Sequence, residues 1–259
     1  MSLVISKIEN NVGTITLNNP RHLNALSSEL IYDIINSLEN FETKKVRAAV
    51  IRAKKGAKVW SAGHDVKELP PGKIDPLTYY DPLRKLVRAI QASPYPVIAQ
   101  IEGSVWGGAC EVIMSCDMTY ASLDSTFAIT PAKLGLPYNL AGVQNFMKNI
   151  SLPILKELIF TARATSARRA EMIGMITRAV ETSELEGLVN RRLDYIVNNA
   201  PLAISVMKDE IRVLSEVSSL TPEAFEKIQA GRKIVYNSKD YEEGLKAFLE
   251  KRKPIFRGK

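Results

Sequence analysis

The chain has 259 residues, 46% hydrophobic and 24% charged, with a formal net charge of +7, values of a globular protein with a sizeable core that exclude global disorder or a fibrous repeat. No stretch reaches the roughly 20 apolar residues that span a bilayer, and the N-terminal residues lack the apolar run of a secretory signal, so a soluble cytoplasmic protein without a membrane partner is expected. Lys and Arg fall in dispersed pairs, such as Lys44-Lys45 and Arg168-Arg169, rather than in a stripe with interleaved aromatics, so no nucleic-acid partner is expected.

In chain order, residues 3–9 and 12–18 read as two strands about an Asn10-Asn11 turn. Ser27, Ser28 and Glu29 open a helix with cap residues and an acidic first turn, and Leu30, Ile34, Ile35 and Leu38 recur on it at helical spacing. Residues 48–53 form a short apolar strand, residues 61–65 a loop, residues 76–92 a helix and residues 96–101 a buried strand. A glycine-rich turn then enters an apolar helix ending near Cys116, followed by strands at 118–121 and 126–129. The recurring strand, strand, helix order implies an α/β fold of stacked layers.

From about residue 140 the pattern is mostly helical. Ser151 before Leu152-Pro153, and Ser166, are N-terminal cap signals; Pro201 and Thr221-Pro222-Glu223 open two more helices. No strand is expected after about residue 200. Phe225, Ile228, Ile234, Val235, Leu245, Phe248 and Leu249 give these last helices an apolar face. The expected division is a core carrying the site at 1–195 and a helical oligomerisation region at 196–259.

Two segments suggest chemistry. Ser61-Ala62-Gly63-His64-Asp65 and Gly103-Ser104-Val105-Trp106-Gly107-Gly108 each put a glycine-containing turn after a strand, and the second runs straight into a helix. The first N–H groups of a helix are unpaired and partly positive, and Gly107-Gly108 admits an oxygen without an intervening Cβ. The same turn could equally serve close packing alone. There is no Rossmann fingerprint, P-loop or nucleophile elbow. His22 and His64 lack zinc spacing, and Cys110 and Cys116 read as buried thiols, so no metal site is expected.

Residues 61–66 and the stretch from Ile101 to Glu111 resemble the two oxyanion segments of the crotonase (enoyl-CoA hydratase/isomerase) family. The resemblance runs nearly end to end, through Asn24-Ala25-Leu26, Leu134-Gly135-Leu136-Pro137 and Lys156-Glu157-Leu158. It implies a crotonase-like core, a superhelix of ββα turns with a C-terminal helical region, and an acyl-CoA thioester substrate. It also implies a hole for the thioester oxygen made by the N–H groups of His64 and Gly108. CoA would lie along Ala62, Gly63, His64, Asp65 and Val66, with Lys251 as the basic candidate for one of its phosphates. No cofactor beyond the CoA of the substrate is implied, and family members are typically homotrimers or homohexamers.

Hydratases of the family use two glutamates. Glu111 matches the first and is open to two readings, catalytic acid or buried structural acid. The second is replaced by Ala132 in Thr130-Pro131-Ala132. Within the family the chain is most similar to the branch that decarboxylates methylmalonyl-CoA, through His64, Val105-Trp106-Gly107-Gly108, Thr130-Pro131 and Pro137-Tyr138-Asn139-Leu140. That similarity implies loss of CO₂ through an enolate, with Tyr138 orienting the substrate carboxylate and Thr130 touching substrate. The competing readings are another crotonase reaction (isomerisation, hydration, thioester hydrolysis or ethylmalonyl-CoA decarboxylation), an RNA-binding relative, and a fold that has lost catalysis.

Overall fold

The structure, a computed structural model, describes residues 2–70, 78–215 and 222–256, with backbone alone for residues 222–225, 227, 228 and 232. The expectations for Thr221 and for the Phe225 and Ile228 side chains lie outside what is described.

Strands β1 (Val4–Glu9) and β2 (Val12–Leu17) form an antiparallel hairpin. Asn10 and Asn11 both take the left-handed backbone that a two-residue turn requires. Helix α1 (Ser28–Thr43) starts where the Ser27 hydroxyl accepts from the Leu30 N–H, and it buries Leu30, Ile31, Ile34, Leu38 and Phe41. The chain then winds through β3 (Ala48–Ala53), β4 (Val59–Ser61), α2 (Pro82–Ala92), β5 (Val97–Ile101), β6 (Ser104–Trp106), α3 (Gly108–Ser115), β7 (Met118–Ser122) and β8 (Thr126–Ala128). Next come α4 (Leu140–Met147), α5 (Leu152–Thr161), β9 (Thr165–Ser166), α6 (Ala167–Met172), β10 (Arg178–Val180) and α7 (Thr182–Val197). Helices α8 (Pro201–Ser215), α9 (Pro222–Tyr236) and α10 (Lys239–Leu249) complete the chain.

After the β1–β2 hairpin, each turn of the winding gives one strand to each of two sheets. The larger runs β1-β2-β3-β5-β7-β10 and the smaller β4-β6-β8-β9. Pairing is parallel except at β1–β2 and β8–β9. This is the ββα superhelix with a helical C-terminal region that the resemblance implied. Strand β5 is buried along its whole length, as parallel strands covered on both faces are, and hence reads as a continuous apolar run. One face of the large sheet packs into the main core with α1, α2 and α3. On the other, Ala48, Val50, Ile98 and Tyr120 meet Leu185, Leu188 and Val189 of α7.

Two expectations are corrected. Of the helix placed at 76–92, residues 76 and 77 lie outside the described residues and 78–81 are not helical; α2 begins at Pro82, where the Asp81 side chain accepts from the Leu83 N–H and Pro82 takes the first position. Short strands also lie where loop or helix was expected: β4, β6, β9 and β10 have three residues or fewer each, too few for a period to show.

The C-terminal helices are fastened to their own core. From α8 the Lys208 ammonium donates to the carbonyls of Ile90 and Tyr95 and to Asp117, at 3.1, 3.0 and 2.8 Å. Tyr236 and Tyr241 pack with Leu136, and the Tyr241 hydroxyl donates to the Pro70 carbonyl at 2.8 Å. Among the described residues no helix is long and apolar enough to cross a membrane.

Candidate active site

Strands β4 and β6 are parallel neighbours, with Ser61 opposite Val105. The chain leaving each therefore emerges at the same place, and the two glycine turns meet. Gly63 takes φ +89° and Gly107 φ +55°, conformations costly to a residue with a Cβ. A Cβ on Gly63 would also meet the Trp106 carbonyl and stand 3.0 Å from the Gly108 nitrogen. The first turn is stitched to the loop before α1: Ala62 N–H donates to Leu23 O at 3.0 Å, Leu26 N–H to Gly63 O at 2.8 Å and Asp65 N–H to Leu26 O at 3.3 Å. The His64 and Gly108 N–H groups have no protein acceptor among the described residues. Gly108 opens α3, and a Cβ on it would lie 3.5 Å from the His64 nitrogen. Two unpaired donors thus sit side by side, one of them at the positive end of a helix.

They open on a cavity of about 520 Å³. Ala62, His64, Asp65, Val66, Gly108, Glu111, Thr130 and Tyr138 stand in its wall, with Phe248 and Leu249 of α10 across from them in sequence. Gly63 is buried behind the wall, its carbonyl spent on Leu26. Lys251 lies just past α10, exposed and outside the lining, whereas Lys67 and Lys133 are in it. Ala132 is exposed and not itself in the wall, although its neighbours Pro131 and Lys133 are.

Glu111 is fully buried. Arg84 pairs with one carboxyl oxygen, and the Asn139 amide donates to the other at 2.8 Å. Burial pushes this carboxyl above its ordinary range, against the pull of the Arg84 guanidinium and of the Asn139 and Tyr138 hydrogen bonds. The geometry is that of a held acid rather than one turned toward a substrate. Tyr138 is also buried, its ring edge-on to Phe146 at 5.1 Å between centroids. Its hydroxyl contacts Glu111 and donates to the Gly107 carbonyl over a long 3.4 Å. Burial and the neighbouring Glu111 charge push the phenol well above its usual range. Gly142 leaves room for both: a Cβ there would run into the Tyr138 ring and lie 2.7 Å from a Glu111 oxygen.

The His64 ring is 15% exposed, with Nε2 3.5 Å from the Asp81 carboxylate and Nδ1 3.1 Å from the Asp65 carbonyl. Burial lowers the imidazole pKa, but the Asp81 carboxylate, helped by the Asp65 carbonyl and Glu68, outweighs it and the net shift is upward. Cys110 is buried with its thiol pushed up to about 12, as an inert core residue would be. No group of three or more metal-binding side chains occurs among the described residues.

Sequence reasoning missed Arg84 of α2 and Asp81, the residue that caps it. Asp81-Pro82 is a cap signal, but Asp75-Pro76 offers the same one. Nothing in sequence pairs Arg84 with Glu111.

A family model described as Enoyl-CoA hydratase/isomerase matches residues 7–259. A methylmalonyl-CoA decarboxylase from Escherichia coli (strain K12) is 49% identical over 249 residues, covering 96% of this chain and 95% of that protein. A short-chain-enoyl-CoA hydratase from Clostridium acetobutylicum is 32% identical over 251 residues, covering 96% and 95%. The solved structure of a methylmalonyl-CoA decarboxylase in complex with 2-nitronate-propionyl-CoA superposes with a TM-score of 0.97 at 47% identity, covering 99% of each chain.

Proposed function

Since the chain belongs to the enoyl-CoA hydratase/isomerase (crotonase) family, we propose that it decarboxylates methylmalonyl-CoA to propionyl-CoA and CO₂. The observation that carries this reading is the chemistry of the wall. It offers two open N–H donors and a phenol, while its one buried carboxylate, Glu111, is tied to Arg84 and Asn139. The other wall carboxylate, Asp65, accepts from the Lys67 N–H at 3.0 Å. A pair of free carboxylates for adding water is therefore missing, whereas decarboxylation needs none.

In this reading the thioester oxygen lies between the His64 and Gly108 N–H groups. The bond to the carboxylate carbon breaks, its electron pair enters the thioester as an enolate, and CO₂ leaves uncharged. Each donor aimed at the forming oxyanion is worth about 10²–10³ in rate. Tyr138 exchanges its long bond to Gly107 O for one to the substrate carboxylate, turning the breaking bond perpendicular to the thioester plane. Protonation at Cα completes propionyl-CoA. Thr130 touches the acyl group, and CoA runs out along Ala62 to Val66 toward Lys251, with Lys67 and Lys133 as further cations. The reaction calls for no cofactor beyond the CoA that the substrate brings.

The same reading keeps the division into a core at 1–195 and a helical region at 196–259 that carries self-association as a homotrimer or homohexamer. Exposed Leu202, Val206, Ile211 and Leu214 on α8 support it, and light scattering distinguishes the two states. For the activity, incubation with methylmalonyl-CoA should release CO₂ and propionyl-CoA. Hydration or isomerisation of an enoyl-CoA without CO₂ release would replace this reading with another reaction of the family.

A further inference from the structure

The His64 ring is held by two acceptors and no donor. Its Nδ1 faces the Asp65 carbonyl at 3.1 Å and its Nε2 the Asp81 carboxylate at 3.5 Å. A neutral imidazole has a single N–H, so one of these contacts would set lone pair against lone pair; the doubly protonated ring satisfies both. The Asp81 carboxylate is itself fixed, since its other oxygen accepts from the Leu83 N–H at 2.8 Å, and it is 8% exposed. Of the other charged groups near the ring, Glu68 adds to this. Glu68, on the turn after the loop, is held by the Ser28 N–H and hydroxyl at 2.9 and 2.7 Å. The Asp65 carboxylate caps that same turn, Lys67 lines the cavity beside it, and Arg84 of α2 and Glu111 of α3 neutralise each other.

We propose that Asp81 is a positioning residue for the reaction: it holds the His64 ring as an imidazolium at the rim of the oxyanion hole, so that a positive charge stands beside the two N–H donors as negative charge reaches the thioester oxygen. The proposal rests on the decarboxylation reading and adds to it a side-chain role for a residue whose backbone alone that reading uses. It also makes the hole sensitive to pH from its basic side, since loss of the ring proton removes the charge while leaving the donors in place.

Asp81→Asn separates this role from folding. Asparagine is as good an N-cap as aspartate, so α2 keeps its start. Its amide can turn a donor toward Nε2, which favours the neutral ring. The chain has two histidines, so its imidazole nitrogen resonances resolve by NMR, with His22→Gln used for assignment. In the native protein His64 should titrate above the ordinary imidazole range, and in Asp81→Asn about 1 unit or more lower. The basic limb of kcat/KM for methylmalonyl-CoA should move down with it, a roughly tenfold loss at pH 8 for each unit, with activity largely recovered near pH 6. A native His64 that titrates at or below the ordinary value overturns the proposal, and so does a variant whose resonance or basic limb does not move. Absence of CO₂ release by the native protein would instead strike the decarboxylation reading, and the NMR titration would still decide the state of the ring.

Discussion

The Arg84–Glu111 pair makes the sharpest test of how the site is built. Glu111 is fully buried and the Arg84 side chain only 12% exposed. Arg84→Met keeps an apolar stem in the same space and removes the charge. A buried ion left without its partner costs about 3–5 kcal/mol, which for a chain of this size lowers Tm by on the order of 10 °C. The pH dependence has a definite sign. Burial already raises the folded Glu111 pKa above its ordinary value of 4.5, and the Arg84 charge is the largest influence opposing that rise. A raised folded pKa stabilises the fold fully below the ordinary value and is lost as pH climbs through the raised one. Without Arg84 the raised value climbs further, so the deficit relative to native protein should be small near pH 4.5 and grow as pH rises past the native protein's raised value. Arg84→Met combined with Glu111→Gln should regain most of the loss, since removing both charges leaves no ion unpaired. Calorimetric Tm across pH for the three proteins decides it. An equal deficit at both ends of the range, or a double variant no more stable than the single one, would refute the account of Glu111 as a held acid.

Tyr138→Phe keeps the ring against Phe146 and should change Tm by no more than a few degrees, while kcat falls roughly 10- to 100-fold, the worth of a hydrogen bond to a charged group, and KM moves little; an unchanged kcat in a steady-state assay would remove the phenol from the mechanism. Gly142→Ala should drive a methyl into the Tyr138 ring and Glu111, costing about 1–3 kcal/mol of stability together with turnover, which chemical denaturation and the same assay read separately. Lys251→Ala, at an exposed position, should raise KM more than it lowers kcat; an unaltered KM would hand the CoA phosphates to Lys67 or Lys133.

What could be read from the sequence follows from how local its cause is. Strand β5 is legible because both its faces are buried, and α1 because Ser27 caps it and its apolar residues repeat each turn. Strand β10, Arg178–Val180, is short and exposed at its first residue, so nothing marks it until it pairs with β7. The start of α2 is ambiguous in sequence because Asp75-Pro76 and Asp81-Pro82 offer the same cap signal, and nothing local tells them apart. The two oxyanion turns were visible as glycine patterns, but that they face one another depends on the parallel register of β4 and β6. The partners of Glu111 and His64 come from α2, 27 and 17 positions away, and reach them only because α2 packs on α3 and on the loop. Such pairings belong to tertiary packing and leave no periodic trace.

The donors that define this site belong to the main chain, and that has a consequence for evolvability. Substitution at Thr130, Tyr138 or Glu111 rewrites the wall of the cavity and leaves the pocket for a thioester oxygen standing, since that pocket is anchored by the glycines at 63 and 107 and by stitches to Leu23 and Leu26. On the proposed reading, enolate stabilisation belongs to the backbone, and the side chains decide how an enolate is made and what becomes of it. Neutral drift can sample new wall chemistries without first passing through an inert intermediate. A laboratory search for altered reactions should accordingly randomise the wall and leave those two glycines and their loop untouched.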